Sequence, residues 1–491
     1  MTNITDYLKE ERSADWREEL RKAMKNKERT DLTRVKMPEA PARERARSYV
    51  EVNSGLTPEQ AINEASRCID CANPTCITGC PVGINIPKFI KNIERGQFLD
   101  AARTLKETNA LPAVCGRVCP QEKQCEASCF YQIKMNREPV AIGYLERFAA
   151  DFEQSSGEIS IPEVAAGNGK KVAVVGSGPA GLAFAGDMAK FGYDVHILEA
   201  LHEIGGVLKY GIPEFRLPNN VVDVEIESLR KMGVKFETNF IVGKTATIQE
   251  LREEGFKGFF VGSGAGLPRF MNIPGENLVG ILSSNEYLTR VNLMGASTQG
   301  MDTPVMRGKN VVVIGGGNTA MDSVRTALRL GADKATIIYR RSLEEMPARV
   351  EEVKHAQEEG VEFLTLNNPV EFLGDDKGRV RQIRVQKMEL GEPDASGRRS
   401  PVPVEGSEYI MDADTVVVSV GVSPNPLIPQ SLPDLKVSRW GTLVVDEETL
   451  QTSIPDVFAG GDIVRGGATV ILAMGDGRKA AASMHKYLQD K

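Results

Sequence analysis

The sequence has no long apolar run and no signal peptide. No stretch of 18 apolar residues occurs, so there is no candidate membrane span. The segment MTNITDYLKEERSADWREEL is charged from Asp6 onward and lacks the apolar core of a secretory signal. We therefore expect a cytoplasmic protein that has no membrane partner.

The sequence also lacks an excess of positive charge. Its 491 residues carry a formal net charge of −7, and the pI is about 5.5. A nucleic-acid surface usually needs a basic excess, so no nucleic-acid partner is expected. A chain of this length predicts about three domains, each able to bury its own core.

Cysteine is absent from most of the chain. All eight cysteines lie between Cys68 and Cys129. Cytosolic thiols stay reduced, so this clustering favours metal ligation over disulfide bonds. The preceding segment, residues 1 to about 60, mixes both signs of charge, and Pro38 and Pro41 break any long helix. We interpret it either as an arm that wraps the surface or as a solvated extension without function.

A strand, a glycine-rich turn, a helix and a second strand follow one another twice in the later part of the chain. The first copy is KKVAVVGSGPAGLAFAGDMAKFGYDVHILEA (170–200), and the second is KNVVVIGGGNTAMDSVRTALRLGADKATIIYRR (309–341). Each copy follows the plan of a dinucleotide-binding unit. Two such units in one chain suggest one electron donor and one electron acceptor.

The first unit carries the pattern G-x-G-x-x-G directly after its strand. Gly176 permits the tight turn, Gly178 lets a pyrophosphate approach the backbone, and Gly181 lets helix and strand pack closely. Glu199 ends the second strand, where a carboxylate can accept hydrogen bonds from ribose hydroxyls. These four residues are candidates for binding a dinucleotide.

The second unit differs at the end of its second strand. Gly315, Gly317 and Ala320 fill the three motif positions. At the strand end, where the first unit has a carboxylate that would repel a 2′-phosphate, this unit has two arginines. Two guanidinium groups suit a 2′-phosphate, which favours NADPH over NADH, although they could simply be solvated surface charges. The candidate NADPH-binding residues are Gly315, Gly317, Asn318, Thr319, Arg340 and Arg341.

Two further segments resemble parts of the flavin site in two-dinucleotide flavoproteins. DVFAGGDIVRGGATVILAMGDGRKAA (456–481) is similar to their second flavin motif, and GGVLKYGIPEFRLP (205–218) is similar to the segment that runs past the flavin. An ordinary turn before a helix is the alternative for the first of these. The resemblance adds Gly206, Gly461, Asp462 and Thr469 to the candidates for binding FAD.

The expected fold class is α/β, with two Rossmann-like domains for FAD and NADPH preceded by an α-helical double iron–sulfur domain. If residues near the C-terminus complete the flavin site, the NADPH domain interrupts the FAD domain. The expected domains are 1–165 for the helical arm and iron–sulfur domain, 166–290 plus 440–491 for FAD, and 291–439 for NADPH.

The missing cysteines constrain how electrons leave the flavin. Disulfide reductases of this architecture carry a Cys-x-x-Cys pair beside the flavin, and this sequence has no cysteine after Cys129. Hydride transfer between nicotinamide and flavin needs orientation rather than a protein acid or base, so no catalytic side chain is expected. His196, His355 and His485 are interpreted as structural.

The cysteines form two runs. The first is Cys-x2-Cys-x4-Cys-x3-Cys-Pro, and the second is CGRVCPQEKQCEASC. Four-cysteine zinc sites are the alternative. A Cys-x3-Cys-Pro ending recurs in two-cluster ferredoxins, where the last cysteine ligates the other cluster, which favours two 4Fe-4S clusters. The runs comprise Cys68, Cys71, Cys76 and Cys80, and Cys115, Cys119, Cys125 and Cys129.

Taken together, the motifs resemble the family of the small (beta) subunit of NADPH-dependent glutamate synthase. The order VAVVGSGPAGLAFA, GGVLKYGIPEFRLP, VVVIGGGNTAMD, YRRSLEEMPAR and AGGDIVRGGATVILAMGDGRKAA after a cysteine module carries the resemblance, from about residue 40 onward. Dihydropyrimidine dehydrogenase and a ferredoxin-linked NADP transhydrogenase contain related regions.

The resemblance implies interleaved cluster ligation. It assigns Cys68, Cys71, Cys76 and Cys129 to one 4Fe-4S cluster. It assigns Cys80, Cys119, Cys125 and Glu146 to the other, with Glu146 in VAIGYLERF at a position where relatives have Glu or Gln. Cys115 would then be a bystander, whereas a simple count of four cysteines per cluster makes it a ligand.

The function implied is an FAD and iron–sulfur NADPH oxidoreductase that passes electrons to a partner. In the family that partner is the large glutamate synthase subunit, which makes glutamate from glutamine and 2-oxoglutarate. The alternatives are the NADPH-binding subunit of a ferredoxin-linked transhydrogenase and, from a different class, a non-catalytic zinc-binding scaffold.

Overall fold

The computed structural model describes residues 4–298, 300–395 and 397–490. The part that precedes the first dinucleotide unit is helical and contains all the cysteines. Its helices are Ile4–Arg12, Asp15–Ala23, Asn26–Asp31, Ala42–Arg45, Pro58–Ser66, Thr75–Thr78, Ile86–Glu94, Phe98–Lys106, Pro112–Val118, Phe130–Met135 and Ile142–Ser156, with a 3-10 turn at Gln121–Lys123.

Local sequence signals start several of these helices. The side chain of Thr57 accepts a hydrogen bond from the amide of Gln60 and forms a capping box with it, and Pro58 follows at the first helical position. Asn85 caps the helix Ile86–Glu94 in a similar way. Their apolar faces, with Phe89 completely buried, form one core that continues into the first dinucleotide unit.

The first dinucleotide unit is built on a parallel five-stranded sheet. The strand that leads into the first glycine turn, Lys171–Val175, lies in the middle and is buried along almost its whole length, which explains its run of valines. The sheet order is Val457–Ala459, Phe256–Val261, Lys171–Val175, Asp194–Leu198, Lys235–Glu237. The helices around it are Pro179–Lys190, Val207–Tyr210, Asn219–Lys231, Ile248–Glu253, Leu427–Ser431, Asp462–Arg465 and Val470–Gln489.

The second dinucleotide unit is built on another parallel five-stranded sheet. One of its edge strands, Ile281–Ser283, precedes residue 291, where the sequence analysis placed the start of this domain. The sheet order is Ile281–Ser283, Thr415–Val418, Asn310–Ile314, Lys334–Tyr339, Glu362–Thr365. The accompanying helices are Ser284–Asn292, Asn318–Arg329 and Val350–Glu358.

An antiparallel sheet, which the sequence motifs did not reveal, follows the second unit. Its long central strand, Val380–Pro393, pairs with all three of the other strands. The others are Asn367–Gly374, Arg399–Pro403 and Tyr409–Asp412, and a separate two-stranded ribbon joins Leu267–Pro268 to Val422–Ser423.

The predicted α/β fold with two Rossmann-like units after a helical domain is confirmed. The N-terminal segment is an arm that packs against the rest of the molecule, since Arg17, Arg29 and Arg45 are all buried. Arg45 forms an ion pair with Glu359, and the carbonyl oxygen of Ser48 accepts a hydrogen bond from Arg329. Both contacts join the arm to the second unit. In the described part of the chain, no helix combines the length and apolar character needed to cross a lipid bilayer.

Candidate functional site

The first glycine turn has the geometry that a dinucleotide requires. Gly176 has φ +97°, and a Cβ on Gly181 would lie 2.1 Å from the carbonyl oxygen of Gly176. Gly178 opens the helix Pro179–Lys190, and a Cβ there would come no closer than 4.0 Å to its neighbours. A side chain at Gly181 would therefore clash with the turn, whereas the space beside Gly178 is open. This space lies at the helix N-terminus, where phosphates bind.

Glu199 is buried beside this turn and holds it in place. One carboxylate oxygen accepts from the amide and the hydroxyl of Ser177 at 2.8 and 2.6 Å, and the other accepts from the amide of Leu201 at 2.8 Å. The Ser177 hydroxyl in turn accepts from the amide of Gly205 at 2.9 Å. A carboxylate has about four acceptor positions, so Glu199 keeps capacity for a ribose hydroxyl.

The other predicted FAD residues converge on the same turn from distant parts of the chain. A Cβ on Gly206 would lie 3.0 Å from the Cα of Gly178, and one on Gly461 would lie 3.1 Å from the Cβ of Ala180. Asp462 follows Gly461, and its carboxylate accepts from the amide of Ala468 at 2.8 Å. The structure therefore brings the predicted residues of both flavin motifs together.

Thr469 starts the helix Val470–Gln489 by accepting a hydrogen bond from the amide of Leu472. Asp476 in this helix is a further residue of the site and was not among the predicted ones. Its buried carboxylate accepts from the amide of Gly461 at 2.9 Å and forms a two-pronged ion pair with Arg465. Because Asp476 lies 15 residues after Gly461 in the chain, only its place in the motif AMGDGRKAA could have indicated this role.

The second glycine turn repeats the plan with a different third position. Gly315 has φ +143°, and a Cβ there would lie 2.3 Å from the carbonyl oxygen of Ser419. Gly317 opens the helix Asn318–Arg329, and among the described residues no atom lies within 4 Å of a Cβ placed on it. Thr319 is exposed, and Asn318 accepts from the amide of Arg349 at 2.8 Å. Space is again left at a helix N-terminus.

The two predicted phosphate-binding arginines have different environments. Arg340 is exposed. Arg341 is buried, donates to the carbonyl oxygen of Arg399 at 2.7 Å and forms an ion pair with Asp394 at 2.5 Å. Arg340 is thus the more accessible guanidinium for a 2′-phosphate, while Arg341 fastens the antiparallel sheet to the second unit.

The first cysteine site consists of Cys68, Cys71, Cys76 and Cys129, which line one cavity with mostly apolar walls. All eight cysteines lie within the described residues and are free thiols. Burial raises the pKa of the Cys71 thiol to about 12, and the neighbouring thiols of Cys68 and Cys129 contribute to this shift. Four thiols in one cavity disfavour one another's ionisation, because each thiolate would repel the others. A positively charged metal group would offset this repulsion, so the donor set fits a 4Fe-4S cluster.

The residues that the resemblance assigns to the second cysteine site are Cys80, Cys119, Cys125 and Glu146. Burial raises the pKa of the Cys125 thiol well above its usual value, and the nearby Glu146 and Cys80 raise it further. Glu146 also lies near Cys119 and Cys80, and its own pKa is raised to about 8 by burial. Glu146 therefore lies near all three cysteines, as a fourth ligand would, and this donor set also fits a cluster.

Cys115 lies next to the second site, where its thiol interacts with that of Cys119 and also contacts two other groups. Its Sγ is 3.7 Å from the Oδ1 of Asn109 and 3.6 Å from the Sδ of Met474. The amide group of Asn109 also donates to Glu146 at 2.8 Å. Burial raises the pKa of the Cys115 thiol, as it does for the other cysteines. Cys115 and Glu146 therefore both lie beside the other cysteines of this site.

The second site packs directly against the flavin motif helix Val470–Gln489. A Cβ on Gly475 would lie 3.0 Å from the carbonyl oxygen of Pro81, and Arg478 donates to the carbonyl of Val82 at 2.6 Å. Met474 is the residue that contacts Cys115. One helix thus borders both the predicted flavin site and the second cysteine site.

Comparisons with known proteins match this division of the chain. Residues 45–158 match the model described as dihydropyrimidine dehydrogenase domain II, 4Fe-4S cluster, and residues 170–477 match pyridine nucleotide-disulphide oxidoreductase. The predicted cofactor classes are thereby confirmed. The fold and the sites define an NADPH-dependent oxidoreductase that combines a double iron–sulfur domain with two dinucleotide-binding domains.

Two relatives match almost the whole chain. The glutamate synthase (NADPH) small chain of Azospirillum brasilense is 39% identical over 466 residues, which cover 94% of this chain and 96% of that protein. The corresponding small chain of Escherichia coli is 37% identical over 465 residues and covers 94% and 98%. The chain belongs to the glutamate synthase (NADPH) small-chain family, so the predicted family is confirmed.

A solved structure is similar to the dinucleotide-binding part. Mycobacterium tuberculosis FprA in complex with NADPH has a TM-score of 0.55 and 21% sequence identity, and the match covers 65% of this chain and 85% of that protein. This likeness supports the fold of the two dinucleotide units.

Proposed function

We propose that this chain oxidises NADPH and passes the electrons through FAD and two 4Fe-4S clusters to the large subunit of a glutamate synthase. The observation that carries the proposal is the helix Val470–Gln489, which borders the predicted flavin turn through Gly477 and the second cysteine site through Gly475. Bound FAD accepts a hydride from NADPH, and iron–sulfur clusters carry electrons singly. The protein's own residues bind and orient these groups.

The two glycine turns would hold the two dinucleotides. Gly178 and Gly317 each open a helix whose free amides and dipole suit a pyrophosphate. Arg340 supplies an exposed positive charge for the 2′-phosphate, and Glu199 supplies acceptors for the FAD ribose. The predicted domain limits and binding residues are part of this proposal.

The two cysteine sites suggest an order for electron transfer. The flavin motif helix contacts the segment Pro81–Val82, which follows Cys80, and it also contacts Cys115 beside the second site. The first site lies beside exposed residues, since Phe130 follows its ligand Cys129 and Ile133 is 48% exposed. We therefore place the second cluster next to FAD and the first cluster at the exit toward the partner protein.

A visible spectrum under anaerobic conditions tests the proposal most directly. Flavin bands and a broad iron–sulfur shoulder that bleach on addition of NADPH are expected. Iron analysis should give about eight irons for each flavin. A colourless protein that contains zinc would contradict the proposal and support a structural scaffold.

The ligation scheme has its own test. Glu146→Ala should lose the signal of one cluster in electron paramagnetic resonance (EPR), while Cys115→Ser should keep both. Cys115→Ser is the matched control, because Cys115 is equally buried and lies beside the same pocket. The reverse result would show that Cys115 is the ligand and that the interleaved scheme is wrong.

The partner is tested by affinity purification from native extract, where we expect a cytoplasmic complex with a large glutamate synthase subunit. The chain alone should reduce artificial acceptors with NADPH and make no glutamate. Recovery of a smaller flavoprotein with a 2Fe-2S site would favour a ferredoxin-linked transhydrogenase.

A further inference from the structure

The N-terminal helices reach the loop between the first two predicted ligands of the first site. Asp70 stands between Cys68 and Cys71, and its side chain is completely buried. Its φ of +50° lies in the left-handed region, which only a few per cent of non-glycine residues adopt. The conformation that directs these two cysteines into one cavity is therefore held by contacts around Asp70.

Three arginines from the N-terminal helices supply those contacts. Arg17 and Arg21 each bind one oxygen of the Asp70 carboxylate. Arg12 donates to the backbone carbonyl of Asp70 at 2.9 Å, and Arg21 also donates to the carbonyl of Arg12 at 3.0 Å. The helices Ile4–Arg12 and Asp15–Ala23 are thus anchored on a single loop residue of the cysteine site.

A second group of charges lies under the same loop. The buried Arg29 donates to the carbonyl of Ser66 at 2.7 Å, and the buried Lys91 donates to the carbonyl of Cys68. Glu94 pairs with both cations. Together with Asp70, Arg12, Arg17 and Arg21, these residues place five cations and two carboxylates around the loop, which is an excess of positive charge.

We propose that Asp70, Arg17 and Arg21 are positioning residues for the first cluster, and that they also set its reduction potential. The inference rests on the proposed function, since it requires a cluster at this site. The N-terminal helices then contribute to the properties of the first cluster and are not a solvated extension without function.

The electrostatic reason follows from the charge that reduction adds. A reduced cluster carries one more negative charge than an oxidised one, so nearby cations favour the reduced state and raise the potential. Screening is weak here because Asp70 and Arg17 are almost inaccessible to water. Removing a cation should lower the potential, and removing the carboxylate should raise it.

The test uses two variants whose effects should have opposite signs. Asp70→Asn removes one charge with almost no change of shape, and Arg21→Gln removes one charge and leaves a shorter polar side chain. Potentiometric titration followed by EPR should show a lower midpoint for the first cluster in Arg21→Gln and a higher one in Asp70→Asn. The second cluster should not shift in either variant, and Arg21→Lys should restore most of the original potential.

Arg252→Gln is the matched control. It breaks a comparable two-pronged pair with Asp456, at 2.8 and 2.9 Å, in the first dinucleotide unit. Neither cluster should shift in this variant. Cys71→Ser assigns the EPR signal that belongs to the first cluster.

The outcomes separate the two proposals. Loss of only the first-cluster signal in Arg21→Gln, with flavin and the second signal retained, would also support the positioning role. Unchanged potentials, shifts of the same sign in Arg21→Gln and Asp70→Asn, or loss of both clusters would overturn it. Wild-type protein that contains zinc and no EPR signal would instead refute the proposed function.

Discussion

The two helices that follow the glycine turns have the same place in their units, but only the second buries charged side chains. Pro179–Lys190 is buried through alanines, Leu182, Phe184 and Met188, and it packs tightly on Val470–Gln489. Asn318–Arg329 buries charged groups at the same depth. The same backbone plan thus accommodates two kinds of contact. The apolar packing of Pro179–Lys190 on Val470–Gln489 is called the apolar joint, and the buried charges around Asn318–Arg329 are called the ionic joint.

The ionic joint is a charge network shared by three parts of the molecule. Two buried guanidinium groups of the helix Asn318–Arg329 bind Glu359, which Arg45 of the N-terminal arm also approaches. Arg216, from the segment predicted to pass the flavin, binds Asp322 with two contacts of 2.8 and 2.7 Å. The network consists of Arg45, Arg216, Asp322, Arg325, Arg329, Glu352 and Glu359. We therefore expect the apolar joint to be sensitive to added side-chain volume and the ionic joint to be sensitive to the loss of an ion-pair partner.

The largest expected effect comes from breaking the ionic joint. Glu359→Ala would leave Arg325 and Arg329 buried without their main partner, at a cost of about 3–5 kcal/mol in the free energy of unfolding. Urea denaturation followed by near-UV circular dichroism measures this cost. Arg252→Ala, which removes a partly exposed pair, should cost about 1 kcal/mol or less. Equal losses in the two variants would contradict the comparison.

Acid should weaken the same joint. Although burial opposes it, hydrogen bonds from Arg325 and Arg329 lower the pKa of Glu359 to about 2. The folded pKa lies below the unfolded value of about 4.3, so this stability is present above that value and is lost as the pH falls toward 2. Glu359→Gln should flatten the decline of melting temperature with pH in this window. A decline as steep as that of the wild type would contradict the assignment.

The apolar joint should fail by overpacking instead. A Cβ on Gly477 would lie 2.2 Å from the carbonyl oxygen of Ala180. Gly477→Ala should therefore cost about 1–3 kcal/mol and lower the flavin-to-protein ratio. Ala320→Gly, which removes a methyl at the third motif position of the other unit, should cost about 1 kcal/mol or less and leave the flavin content unchanged.

The smallest effect concerns the choice of nucleotide. Arg340→Ala should raise the KM for NADPH about tenfold by removing one charge-assisted contact, and it should leave the KM for NADH unchanged. Steady-state kinetics with an artificial acceptor measure both constants. Arg341→Ala is the informative companion, because Arg341 is held by Asp394 and should affect stability more than nucleotide choice.

The sequence predicted the features that depend on near neighbours. The glycine turns, their helices and the grouping of the cysteine runs follow from spacings within about 30 residues, and the geometry of Gly176 and Gly181 agrees with the reasons given for them. Contacts between distant parts of the chain were not predictable in this way. The pairing of Arg341 with Asp394 depends on an antiparallel sheet that carries no motif, and the role of Asp70 depends on an arm whose charges resemble those of any solvated surface.

The helix Val470–Gln489 also constrains the order of biosynthesis. The cysteine module leaves the ribosome long before this helix, yet Met474, Gly475 and Arg478 provide one side of the surroundings of the second cysteine site. The edge strand Val457–Ala459 of the first sheet is equally late. Until these residues are translated, one side of the second site is not packed against protein. We therefore expect the protein surroundings of the second site to be completed only after this helix has been translated.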